Sequence, residues 1–145
     1  MRIIGHGIDL VEVARIAHMA ETHGAHFLER CFTAGERDYC LRNKRKWEHL
    51  AGRFAAKEAI LKVLGTGWRA GIGWTEMEIL ADPLGKPVIT LTGQCAELAR
   101  ERGITEWHVS ISHISTHATA SAIGLGADVR RKPTSIPHQR RRKAR

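Results

Sequence analysis

Apolar positions along this chain follow two periods, and the change from one to the other marks out the elements. Residues 2–11 read as a short strand, with Ile3, Ile4 and Ile8 supplying β-branched bulk while Gly5 and Gly7 let other backbone come close. The spacing then turns helical: Val13, Ile16, Ala17 and Ala20 predict a helix from about Glu12 to His23, stopped by Gly24. Thr33, with Glu36 three residues on, is a capping-box signature opening a second helix to about Leu41. A long helix spans about Trp47 to Leu64 and ends at Gly65, a residue suited to the backbone just past a helix end.

The stretch GTGWRAGIG, Gly65 to Gly73, holds four glycines in nine residues and reads as loop. Alternation follows. Met77 and Ile79, then Val88 and Leu91, flank the turn-rich ADPLGKP and predict a hairpin. Gly93 to Arg102 reads as a short helix with Cys95, Leu98 and Ala99 inward. A second hairpin runs from Trp107 to Leu125, with Trp107, Val109 and Ile111 on one face and Ala118, Ala120 and Ala122 alternating after a turn near Ser115. Strands and helices mix without strict βαβ alternation, so the expected fold class is α+β.

Composition changes little in this picture. A chain of 145 residues, 43% apolar and 26% charged, has the makings of one globular domain with its own core. Cys31, Cys40 and Cys95 form no CxxC pair, which suggests neither a disulfide framework nor a zinc site and fits a reducing cytoplasm. His6 and Asp9 interrupt the N-terminal apolar run before it could serve a secretion signal, and no stretch approaches the length of a membrane span. Charge is more informative. Of the 23 Lys and Arg behind the net +8, eight lie in residues 129–145, leaving 15 to match the 15 acids of residues 1–128. The expected organisation is therefore a neutral domain over 1–128 and a basic, disordered tail over 129–145. Within the domain, Arg37 to Arg69 carries nine basic residues and three acids, a local excess around the long helix.

That helix poses the chemical question. In FAAKEAILK, at about 100° per residue, Trp47, Ala51, Phe54 and Leu61 fall on the same side as Glu58, and a carboxylate on such a stripe costs several kcal/mol unless something satisfies it. Lys62, four residues on, is one partner within reach, giving an ordinary buried ion pair. Asp9 follows Gly7-Ile8 at the end of the first strand, where capping the next helix is its plainest role. Ser110-Ile111-Ser112-His113 closes a strand, but no nucleophile-elbow pattern surrounds either serine. Taken together, two carboxylates from different elements, with Lys57, Lys62, Arg53, a glycine-rich loop and a histidine, make what a Mg²⁺-assisted phosphoryl-transfer site needs. The loop holds no GxxxxGK[ST], so nucleoside-triphosphate hydrolysis is not indicated.

These motifs carry a resemblance. GIDLVEVARI (7–16), FTAGE (32–36), AGRFAAKEAILK (51–62), GTG (65–67), GKP (85–87) and VSISH (109–113) resemble, in order and spacing, the motifs of the holo-acyl-carrier-protein synthases, bacterial 4′-phosphopantetheinyl transferases, over about residues 3–125. The resemblance implies an antiparallel sheet packed with a long central helix, in a homotrimer with sites between subunits. It implies transfer of 4′-phosphopantetheine from coenzyme A to a serine of apo acyl carrier protein, releasing adenosine 3′,5′-bisphosphate and supporting fatty acid biosynthesis. By motif position Asp9 and Glu58 would hold Mg²⁺, with Glu58 also the candidate base for the serine. Lys62 would stabilise charge on the transferring phosphate. Arg53, Lys57, Gly65, Thr66, Gly67, Lys86 and His113 would lie around coenzyme A. An acidic carrier would dock on the first helix at Arg15 and Met19, with Arg30 and the segment Arg42 to Lys46 as additions. His18, His23 and His26 stand on or beside that helix where such enzymes are often richer in arginine. Two rivals remain at this level: a nucleic-acid binder using the tail and the basic segment, and a metal-dependent phosphohydrolase built on the same two carboxylates. The first gives no reason for Asp9 or for Glu58 on its stripe.

Overall fold

The computed structural model describes residues 1–67 and 71–128. The basic tail and residues 68–70 of the glycine-rich segment, with Arg69, lie outside the described residues. The elements run β1 (Arg2–Glu12), α1 (Val13–Cys31), α2 (Ala34–Leu41), α3 (Lys46–Leu64), β2 (Met77–Ala81), β3 (Pro87–Leu91), α4 (Gly93–Glu101), β4 (Ile104–His113) and β5 (His117–Gly126). A three-stranded antiparallel sheet, in the order β1-β5-β4, lies against α3, and β2 with β3 forms a separate antiparallel hairpin. The α+β class and both hairpins are as the sequence predicts.

Small residues bring the sheet close to the helix. On β5, Ala118, Ala120 and Ala122 are buried beneath α3, and a Cβ on Gly5 would come within 2.9 Å of the Val63 carbonyl. At Gly7 a Cβ would run into the carbonyl oxygen of Ala59 and approach Lys62 Cβ to 2.9 Å. Side chains alternate along a strand. Gly7 and Val11 are therefore buried toward α3, while Ile8 and Leu10 point the other way, 59% and 66% exposed.

Two expectations need correcting. Gly24 does break the first helix, with φ 57° and ψ −137°, but the helix resumes beyond it and continues to Cys31 because Phe27 and Cys31 find places in the core. Nor does α3 carry one apolar stripe. From Leu50 to Leu64 every residue is buried except Glu58 and Lys62, so this part of the helix is enclosed on nearly all sides and opens only where those two stand, while its first turn, Lys46 to His49, is less covered. Its last turn closes on Gly65 in the left-handed region, at φ 70°. No helix among the described residues is long and apolar enough to cross a membrane.

Candidate active site

The opening in α3 faces β1. Lys62 Nζ donates to the carbonyl of Ile8 at 2.7 Å and to Asp9 Oδ1 at 3.1 Å, not to Glu58. Asp9 does not cap α1 either: Glu12 stands at the N-cap and makes no side-chain capping bond. Instead Asp9 is held on the strand, its carbonyl accepting from Thr119 Oγ1 at 2.8 Å and its side chain 19% exposed. Glu58 shares this space. Partial burial, then the negative charge of Asp9, push its carboxyl above the ordinary range, while Lys62 and Arg15 pull the other way. Two carboxylates are thus forced together with incomplete compensation. Ile8, Asp9, Leu10, Lys62 and Thr119 line an open cleft of about 520 Å³ here.

Lys57, beside Glu58 in sequence, has the opposite fate. Its side chain is 0% exposed and its ammonium donates to Glu36 Oε1 at 2.6 Å, the Cys31 carbonyl at 2.7 Å and the Trp74 carbonyl at 3.0 Å. An ammonium has three protons to give, and all three are taken. The expectation that Lys57 lies against coenzyme A is therefore corrected: it is a core residue. Burial pulls its ammonium down, and the Glu36 carboxylate opposes that. Glu36 in turn completes the capping box at Thr33 and accepts from the amide of Ile79 at 3.1 Å, tying α2, α3 and β2 together.

A second opening lies near the start of α3. Arg53, His49 and Glu48 line it with Tyr39 and His113, and it holds about 140 Å³. Arg53 is 6% exposed, its guanidinium lies 4.7 Å from the Tyr39 ring centroid, and its buried Nε has no hydrogen-bond partner among the described residues. His113, at the end of β4, donates Nδ1–H to Glu48 Oε2 at 2.7 Å. Gly85 and Pro87 form part of the wall, which puts the exposed Lys86 at its rim. Arg53, His113 and Lys86 therefore come together as a group. Sequence reasoning missed Tyr39, Glu48 and His49; the i, i+4 spacing from His49 to Arg53 was the available signal.

The glycine-rich loop does not join that group. Gly65, Thr66 and Gly67 follow the far end of α3, with Gly65 beside the Arg102 guanidinium and Thr66 Oγ1 donating to the Gly67 carbonyl at 2.9 Å. Counting about 100° and 1.5 Å per residue, Arg53 and Lys62 project about 180° apart and about 13 Å apart along the axis. On α1, Arg15 is exposed and close enough to Glu58 for their charges to interact, whereas Met19 packs partly into the core. Burial pushes the Cys40 and Cys95 thiols up to about 11 and raises Cys31 as well, so no cysteine is poised as a nucleophile.

Known proteins resemble this chain in sequence and in fold. A holo-[acyl-carrier-protein] synthase of Caldanaerobacter subterraneus subsp. tengcongensis is 46% identical over 122 residues, covering 84% of this chain and 94% of that one. Among solved structures, the holo-[acyl-carrier-protein] synthase of Neisseria meningitidis superposes with a TM-score of 0.78 at 31% identity, over 86% of this chain and 99% of the other. The Bacillus anthracis synthase, solved in complex with CoA (3′,5′-ADP), gives 0.71 at 34% identity, over 86% and 98%. The family model described as the 4′-phosphopantetheinyl transferase superfamily matches residues 5–123, and the chain belongs to that family.

Proposed function

We propose that this chain transfers 4′-phosphopantetheine from coenzyme A to a serine hydroxyl of an apo acyl carrier protein. The serine oxygen bonds to the phosphorus bearing the pantetheine arm, the bond to the adenosine 3′,5′-bisphosphate breaks, and the serine proton is lost to a base. The observation that carries this reading is the opening in α3 where Glu58 and Lys62, alone between Leu50 and Leu64, escape burial beside Asp9. Asp9 and Glu58 suit a hard divalent cation, since of the two crowded carboxylates only Asp9 is bonded to an ammonium. They would hold Mg²⁺, which when bound supplies charge neutralisation at the pyrophosphate. Lys62 places an ammonium beside the same space. Glu58, with its carboxyl pushed above the ordinary range, is the better proton acceptor of the two acids.

The nucleotide end falls to Arg53, His113 and Lys86, with the Gly65–Gly67 backbone nearer the pyrophosphate. One subunit cannot bring these together, because Arg53 and Lys62 leave α3 on opposite sides. The Arg53 cleft, about 140 Å³, is also smaller than the roughly 300 Å³ at which small-molecule sites begin. A homotrimer whose sites pair one face of α3 with the other face of a neighbour's accounts for both, and the exposed Ile8 and Leu10 beside Asp9 supply apolar surface for such a contact. Arg15, exposed on α1 near Glu58, suits an acidic carrier docking where its serine must arrive. Three free, buried cysteines fit a reducing cytoplasm.

The test is a transfer assay. With coenzyme A, Mg²⁺ and an apo carrier, the carrier should gain the mass of one phosphopantetheine; free phosphopantetheine with no carrier adduct would mean hydrolysis instead. Mixed assembly tests the shared site: chains carrying Glu58→Gln and chains carrying His113→Ala, each inactive alone, should recover activity when refolded together. Continued silence of the mixture would place each site within one subunit.

A further inference from the structure

His49 is the side chain in the Arg53 cleft that the proposed reaction leaves without a task. Its ring sits 5.3 Å from that of His113 and 5.8 Å from that of Tyr39, centroid to centroid. The groups facing it are Glu48 and Arg53 from its own helix, Arg45 at that helix's N-cap, Tyr39 from α2 and His113 from β4; the β2–β3 hairpin adds Ala81, Gly85 and Pro87, with the Lys86 ammonium at the rim.

Glu48 is already committed to His113 Nδ1, and Arg53 stands in the same cleft with its Nε unbonded among the described residues. A phosphate monoester carrying nearly two negative charges favours the protonated form of any neutral imidazole it meets. Two imidazoles line the cleft, and they differ. His113 is already bonded to a carboxylate, whereas the His49 ring makes no hydrogen bond among the described residues. In the empty cleft burial, then Arg53 and His113, lower the pKa of His49, with Glu48 opposing, so at neutral pH it stands uncharged. An entering dianion reverses that balance.

We propose that His49 is a proton-linked specificity residue, taking up a proton as the 3′-phosphate monoester of the nucleotide enters the cleft, so that preference for adenosine 3′,5′-bisphosphate over adenosine 5′-monophosphate grows as the medium turns acid. The inference rests on the reading of this cleft as the nucleotide end of the coenzyme A site. The charged imidazole adds to binding fully below its pKa in the empty cleft, and that gain is lost as pH rises through its pKa in the occupied one.

The experiment measures binding of adenosine 3′,5′-bisphosphate and of adenosine 5′-monophosphate by calorimetry. It uses the full chain, at about pH 5.5 and about pH 8, either side of the ordinary imidazole value near 6.5. Wild type is compared with His49→Phe, which keeps an aromatic ring, and His49→Gln, which keeps a neutral hydrogen-bonding group. The ligand's own second ionisation, near 6, works in the opposite direction but is common to all three proteins. From the higher to the lower pH the preference for the bisphosphate should rise about tenfold more in wild type than in either variant, the equivalent of a one-unit shift in one group. In two buffers of different ionisation heat, wild type near neutrality should take up more protons per bisphosphate bound than the variants do. The same pH dependence in all three proteins overturns the role of His49 while leaving the cleft reading in place. No preference for the bisphosphate at any pH overturns both, and leaves the transfer assay to judge Asp9 and Glu58 separately.

Discussion

Lys57 and Glu58 are neighbours in sequence on one helix, and the fold treats them in opposite ways. Lys57 enters the core, gives every proton to a carbonyl or to Glu36, and sees no solvent. Glu58 stands at the helix's opening, pressed against Asp9 and only partly balanced by Lys62. A charge whose partners are complete holds elements in place. One whose partners are incomplete is available to a substrate or ion. Charge itself says nothing about function here; saturation of the partners does.

The largest effect should come from the saturated charge. Replacing Lys57 by Met leaves Glu36 buried without its cation, a loss of about 3–5 kcal/mol that denaturant titration would read. The double substitution Lys57→Met with Glu36→Leu should recover part of it, and strict additivity of the two single changes would deny the coupling. Glu58→Gln inverts the pattern: transfer should fall by about 10²-fold or more while the melting temperature holds or rises. Full transfer by that variant would remove Glu58 from the site. Gly7→Ala lies between the two cases, because its Cβ would meet the Ala59 backbone and force β1 off α3 at Asp9. About 1–3 kcal/mol should be lost, with transfer falling further than stability explains.

The smallest effect concerns pH. A carboxyl held above its ordinary 4.5 binds its proton more tightly in the folded chain, so its contribution to stability is complete at low pH and fades as pH rises through the raised value. Melting temperature relative to Glu58→Gln should decline over that window. A flat difference would mean that neither burial nor the Asp9 charge raises Glu58 in the folded chain.

Much of this was legible in the sequence because it rests on local rules. Thr33 and Glu36 announced α2, Gly65 ended α3, and Gly5 and Gly7 foretold the close approach of the helix backbone. Asp9 and Glu58 each had an ordinary structural reading, a helix cap and an ion pair with Lys62, and only their combination with the cations and the motif order set them apart. What failed was whatever depends on how many sides of an element are covered. Helical periodicity assumes one buried face and gave no warning that Lys57, placed around coenzyme A by motif position, lies in the core of a helix covered on nearly every side from Leu50 onward. Glu36 seemed explained by its capping role, which hid its pairing with Lys57. Arg53 and the Gly65–Gly67 loop were grouped by motif order, and only the turn of the helix between them shows that they face apart. His49 offered no signal beyond its i, i+4 spacing to Arg53.

The triple attachment of Glu36 has a consequence for inheritance. A lineage that loses this carboxylate strands an ammonium in the core, and one that loses the ammonium at position 57 strands the carboxylate. An apolar pair of similar volume could serve as well or better, yet reaching it takes two changes whose halfway forms fold poorly. Descent therefore works as a ratchet at these two positions, keeping the pair because every single step away from it is a bad one.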